Sequence, residues 1–193
     1  MNKQQLASKI WESANKMRSK IEANEYKDYI LGFIFYKFLS ETELMRLKAS
    51  DFTEDDLPQL TEDNPDIVEF VQGECGYFIA YGNLFSTWIK QGNDFEISNV
   101  RDALSAFSRN INPAHKKVFD GIFDTLQTGL SKLGTDARSQ SKAARDLIYL
   151  IKDIPMDGRQ DYDVLGFIYE YLISNFAANA GKKAGEFYTP SEV

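Results

Sequence analysis

The sequence predicts a mainly α-helical, compact domain of about eight helices with little or no sheet, and three observations carry that prediction. Apolar residues Leu6, Ile10, Ala14, Met17 and Ile21 step by four, four, three and four, which is the stripe of one helix face. Between Tyr26 and Leu39 almost every residue is apolar, the pattern of a helix buried on all sides. Leu165, Ile168, Tyr169, Leu172, Ile173 and Phe176 repeat the stripe late in the chain. With 193 residues, 43% hydrophobic and 13% aromatic, the chain can bury a core without staples, and its single Cys75 offers neither an internal disulfide nor a cysteine metal cluster. A reduced, cytoplasmic protein is the simplest reading. The polar start Met1-Asn2-Lys3-Gln4-Gln5 is unlike a signal peptide, and no apolar run reaches the length of a bilayer crossing.

Taken in order, the first helix carries Lys9, Lys16 and Lys20 beside its apolar stripe, and residues 1–20 hold five basic residues against Glu12, a net +4. Such a flank is either a solvated helix face, the commoner case, or a surface that meets phosphates. Residues 24–48 form the second helix. Gly32 weakens it intrinsically, so its presence there predicts close approach by a neighbouring helix. Asp51 to Pro58 reads as an exposed connection within an acidic region, residues 41–74, where eleven acids face Arg46 and Lys48 for a net −9. Asn64 and Pro65 serve as cap and first residue of a helix that Gly73 and Gly76 break.

Tyr77 to Tyr81 is the one stretch that reads as a short strand. Leu84, Phe85, Trp88 and Ile89 resume helical spacing. Ser98 is expected to cap a helix with Val100, Ala103, Leu104 and Phe107 inward, and another follows Pro113 through Val118, Ile122, Phe123 and Leu126. His115, the only histidine, has no signalled partner and reads as a surface residue at that helix entry. Gly129 to Gln140 reads as a loop, and Ala143, Leu147, Ile148, Leu150 and Ile151 as a helix ending near Pro155. Asp161 or Asp163 caps the last helix, which Gly181 ends.

Composition and motifs exclude more chemistry than they suggest. A net charge of −7 argues against a domain that grips nucleic acid by bulk charge. The chain holds no phosphate-cradling glycine loop with its Lys, no H-E-x-x-H, no G-x-S-x-G elbow and no glycine-rich strand–turn–helix for a nucleotide-like cofactor. By itself it is expected to be catalytically silent.

The last stretch points elsewhere. Gly181 and Gly185 flank Lys182-Lys183, then Glu186-Phe187-Tyr188-Thr189-Pro190-Ser191 follows, with Thr189 or Ser191 suited to cap a helix that the chain does not contain. Gly185 to Pro190 resembles the G-E-F-Y-T-P junction of the modification (methyltransferase) subunit, HsdM, of type I restriction-modification systems. Asp163 to Ile173 is similar to the helix before that junction. Trp11, Ala14, Met17, Arg18, Ile21 and Glu25 to Ser40 are similar to that subunit's opening helices, so three ordered blocks match while roughly residues 50–141 match loosely.

The resemblance implies a helical N-terminal domain, residues 1–180, and a junction, residues 181–193, that opens a Rossmann-like domain whose remainder is not in the chain. It implies transfer of a methyl group from S-adenosylmethionine to adenine N6 in DNA, on a base turned out of the duplex because its reactive atom is shielded in the stack. Glu186, Phe187, Tyr188, Thr189, Pro190 and Ser191 would contribute to the cofactor pocket, with the alternative that they merely cap the next domain's first helix. The family's glycine-rich and Asn-Pro-Pro-aromatic motifs are absent from these residues. Implied partners are DNA, the specificity subunit that reads it, a second modification subunit and a restriction subunit. Closure of this domain around DNA would rest on Lys9, Lys16, Lys20, Lys182 and Lys183, whereas a protein-contacting role suits the overall acidity better. A stand-alone helical adaptor that binds proteins is the competing reading.

Overall fold

The densest apolar run becomes the axis of the molecule. In the computed structural model, which describes residues 1–17, 21–156, 158–160 and 162–176, a 27-residue helix, α2 (Ala23–Ala49), follows α1 (Lys3–Met17) and buries Tyr26, Tyr29, Ile30, Phe33, Ile34, Tyr36 and Leu39. Around it lie α3 (Pro65–Cys75), α4 (Phe85–Gln91), α5 (Ile97–Arg109), α6 (Lys116–Phe119), α7 (Asp124–Gly129), α8 (Ala137–Ile151) and α9 (Val164–Phe176). Helices α1, α3, α4, α7, α8 and α9 all pack on α2, and α1 also packs on α8 and α9. A helix apolar on every side has no solvent face to offer, so the others wrap it.

Gly32 performs the role its position predicts. A Cβ there would lie 2.9 Å from the Leu126 side chain, so α7 sits against α2 only because that position has no side chain. The aromatic residues interlock on the same axis: Tyr36 stacks on Trp88 with ring centroids 4.8 Å apart, and Phe107 meets Phe123 edge-on at 5.1 Å.

Several sequence expectations are corrected. No strand forms at Tyr77 to Tyr81. Tyr77, Phe78 and Ile79 are all buried in succession, so the segment lacks the two-sided alternation of a strand and runs through the core as irregular backbone. It leads into a 3-10 turn, Tyr81–Asn83. Gly73 does not break α3, which continues to Cys75 and ends on Gly76 at φ 87°, a left-handed cap. Pro65 takes the first helical position as expected, although the Asn64 side chain makes no cap bond.

Glu96, not Ser98, heads α5, and the Asn99 side chain accepts the Glu96 N–H at 2.8 Å. The helix expected after Pro113 is divided into a 3-10 turn (Pro113–His115), α6 and α7, because Gly121 at φ 76° turns the chain; Val118 is 63% exposed instead of inward. His115 is half-buried against Phe119 and Gly76, not a plain surface residue, and its Nδ1 has no partner among the described residues. The Gly129 to Gln140 loop holds a 3-10 turn, Leu130–Leu133, with both leucines buried, and α8 begins at Ala137, earlier than its apolar stripe suggests. Asp136 allows that early start: its carboxylate accepts the Ser139 N–H at 2.8 Å. Of the two aspartates proposed to cap α9, Asp163 does so, accepting the Gly166 N–H at 3.1 Å. Asp161 and Gly181 lie outside the described residues.

Candidate functional site

Polar side chains buried on α2 form the first candidate. Tyr36 donates its hydroxyl to the Asn83 carbonyl at 2.8 Å, and Ser40 Oγ accepts the Phe85 N–H at 2.9 Å. Glu43 Oε1 accepts the Ile79 N–H at 2.7 Å, and Tyr77 donates to the Leu39 carbonyl at 2.7 Å. Lys37 Nζ donates to Glu41 and to the Ile154 carbonyl, both at 2.7 Å. The bonds from Tyr36, Ser40 and Glu43 give Asn83, Phe85 and Ile79 the backbone partners that a neighbouring strand would otherwise have supplied. Burial pushes the Glu43 carboxyl well above the usual carboxylate range, against a lowering contribution from the Ile79 N–H, and its Oε2 has no partner among the described residues. An enclosed carboxyl whose one bond goes to backbone is a structural group. No substrate atom can reach it.

Lys9 marks the second candidate. On α1, half-buried, it lines a shallow cleft with Gln5, Glu12, Asp153 and Pro155. Two carboxylates beside the Lys9 ammonium make that cleft a poor phosphate seat. The Lys16 side chain and Lys20 lie outside the described residues, as do Lys182, Lys183, Glu186, Phe187, Tyr188, Thr189, Pro190 and Ser191.

The third lies between α5 and α8, a cleft of about 1130 Å³ that sequence reasoning missed. Arg138, Lys142 and Arg145 line it from α8 and Arg101 from α5. Their spacing of four and three is visible in the sequence, but the polar, glycine-containing stretch before it reads as loop and hides the helix. An apolar groove of about 400 Å³ lies between α2, α7 and α9, lined by Leu31, Phe35, Phe123, Leu126, Leu165 and Tyr169.

Among the described residues no three His, Cys, Asp or Glu side chains gather to hold a metal, and no helix is long and apolar enough to cross a membrane. Burial pushes the Cys75 thiol up to about 12, so it is not a thiolate at neutral pH.

The profile of the HsdM N-terminal domain matches residues 6–151, most of the chain. The chain belongs to the HsdM N-terminal domain family. A second profile, N-6 DNA methylase, matches residues 160–193. This HsdM N-terminal domain is 29% identical to the type I restriction enzyme MpnII methylase subunit of Mycoplasma pneumoniae, across 96% of this chain and 37% of that protein. It is 25% identical to the type I restriction enzyme MjaIX methylase subunit of Methanocaldococcus jannaschii, across 96% of this chain and 33% of that protein. The crystal structure of a type I restriction-modification system methyltransferase subunit from Streptococcus thermophilus superposes with a TM-score of 0.77 at 28% identity, covering 100% of this chain and 42% of that one. The chain thus spans about a third of the length of the curated relatives it matches.

Proposed function

We propose that this chain is the helical front of a type I restriction-modification methylase subunit, which as a whole transfers a methyl group from S-adenosylmethionine to adenine N6 in DNA. The observation that carries this reading is the order of the two matches, the HsdM N-terminal domain over residues 6–151 and the N-6 DNA methylase over residues 160–193. That succession favours a domain built to precede a catalytic one over a stand-alone adaptor.

We put the boundary between the two after α9, with residues 1–180 as the helical unit and residues 181–193 as the entrance to the catalytic domain. The methylase match begins earlier, at residue 160, and the packing of α9 on α1 and α2 supports the later boundary. The described residues do not fit the cofactor. The apolar groove beside α9 has Asp28 at its edge but no glycine-rich turn to accept a ribose and methionine, so no step of the reaction is assigned to it. S-adenosylmethionine is assigned instead to a pocket to which Glu186, Phe187, Tyr188, Thr189, Pro190 and Ser191 contribute and which the rest of the subunit completes. A specificity subunit, a second methylase subunit, a restriction subunit and DNA are the proposed partners, in the cytoplasm.

The test uses the full-length subunit assembled with its specificity subunit, DNA and S-adenosylmethionine carrying a labelled methyl group. Label recovered as N6-methyladenine is the expected result, and Tyr188→Ala raises the KM for S-adenosylmethionine without weakening subunit assembly. Absence of label in DNA from a correctly assembled wild-type complex would overturn the reading.

A further inference from the structure

We propose that the cleft between α5 and α8 is a seat for the phosphodiester backbone of DNA, contacted by Arg138 and Lys142 with Arg101 and Arg145 behind them; this rests on the methylase reading and names the face of the domain that meets its substrate.

The chain carries −7 overall, yet α8 presents Arg138, Lys142 and Arg145 against one acid, Asp146. Positions four and seven residues apart share one side of a helix, and a rise of 1.5 Å per residue spreads these three cations along a row of about 10 Å. All three line the cleft, and Arg101 enters from the opposite wall. The row is therefore a repeated charge along a line, the arrangement that a phosphodiester chain presents with opposite sign.

The arginines keep their charge available. Arg101 donates to the neutral Gln140 Oε1 at 2.9 Å, and Arg145 to the carbonyl oxygens of Phe95 at 3.1 Å and Asn93 at 3.4 Å. Among the described residues no ion pair engages Arg101, Arg138 or Arg145, and the Arg145 Nε has no acceptor. Lys142 pairs with Asp146 at 2.9 Å, but the lysine side chain is 67% exposed, and such a pair exchanges readily for a phosphate. Guanidinium groups match phosphate oxygens with two parallel donors, which suits this site to phosphate over a row of scattered peptide carboxylates.

Three carboxylates also line the cleft. Asp136 is held by the Ser139 N–H and hydroxyl, Glu96 heads α5, and Asp146 is held by Lys142, leaving four cations to three acids. The side chains of the Lys9 cleft have the opposite balance, one cation to Glu12 and Asp153. Phosphate contact is accordingly moved from Lys9 to the row on α8.

The experiment measures DNA affinity of the full-length subunit assembled with its specificity subunit across a salt series. R138Q combined with K142Q removes two exposed cations and spares the core. The expected result is a slope of log affinity against log salt shallower by roughly 2, with affinity lowered at least roughly tenfold and S-adenosylmethionine binding unchanged. K9Q, by contrast, leaves the slope unchanged. An unchanged slope in the R138Q/K142Q assembly, while its wild-type counterpart binds and methylates DNA, overturns the cleft and leaves the methylase reading standing. A variant that loses assembly with the specificity subunit but keeps the slope also overturns it, in favour of a protein partner. A wild-type assembly that neither binds nor methylates DNA overturns both.

Discussion

Helices α2 and α8 reach the same core by opposite means. Helix α2 is apolar nearly all round between Tyr26 and Leu39 and hides three of its polar residues, since Lys37, Ser40 and Glu43 are buried. Helix α8 is divided lengthwise, with Ala144, Leu147, Ile148 and Ile151 inward and Arg138 and Lys142 exposed. The difference teaches where substitution is tolerated. An axle surrounded by neighbours has no spare side, and a wall helix has one side free for solvent or a ligand.

The comparison breaks most severely if the axle is hollowed. Phe33, fully buried on α2, becomes the largest effect: Phe33→Ala lowers unfolding stability by about 4 kcal/mol, read as a shift of the urea midpoint. If the loss were below about 1 kcal/mol, α2 would not be the axis of the core. Gly32→Val comes next, at about 2 kcal/mol, because the new side chain meets Leu126 across the α2–α7 contact. Pairing it with Leu126→Ala recovers part of that loss if the clash is its cause, and the double-mutant cycle measures the coupling.

Glu43 sharpens the comparison, because a wall helix would simply have solvated it. Glu43→Ala leaves the buried Ile79 N–H without an acceptor and costs about 2 kcal/mol, whereas Glu43→Gln keeps the acceptor and is nearly neutral at low pH. The sign of the pH effect follows from the raised carboxyl. The unfolded chain releases this proton near the ordinary value of 4.5, while the folded chain holds it to higher pH. Wild-type stability therefore falls relative to Glu43→Gln as pH rises above that value, and the gap stops widening once the folded carboxyl has titrated. A constant gap between the two urea midpoints from pH 4 to pH 8 would contradict the burial argument. At the other extreme, Arg138→Gln on the free side of α8 changes stability by less than about 0.5 kcal/mol, checked by the same urea titration.

Legibility follows the same division. The α2 core was readable because its residues are consecutive, and the Gly32 contact because a glycine in an apolar helix has few other reasons to be there. The irregular segment at Tyr77 to Tyr81 was not. The acceptor for its Ile79 N–H, Glu43, comes from 36 residues away, and its composition fits a strand equally well. Val118 was misassigned because a helical period was carried across Gly121, where the backbone turns. Among the candidate site residues, Lys9 was identified by type but not by its neighbours Glu12 and Asp153, which the sequence shows only in part. The row on α8 was present in the sequence and obscured by the glycines before it.

By itself the sequence determined the inward faces of α1, α2 and α9, the close approach at Gly32 and the family, since each depends on residues near one another in the chain or on a contiguous motif. Only the tertiary structure decided that three consecutive residues cross the core without a strand, that Glu43 is enclosed, and that Arg101 faces the row on α8. Those outcomes depend on which distant surfaces exclude water from each other, and no local period records that.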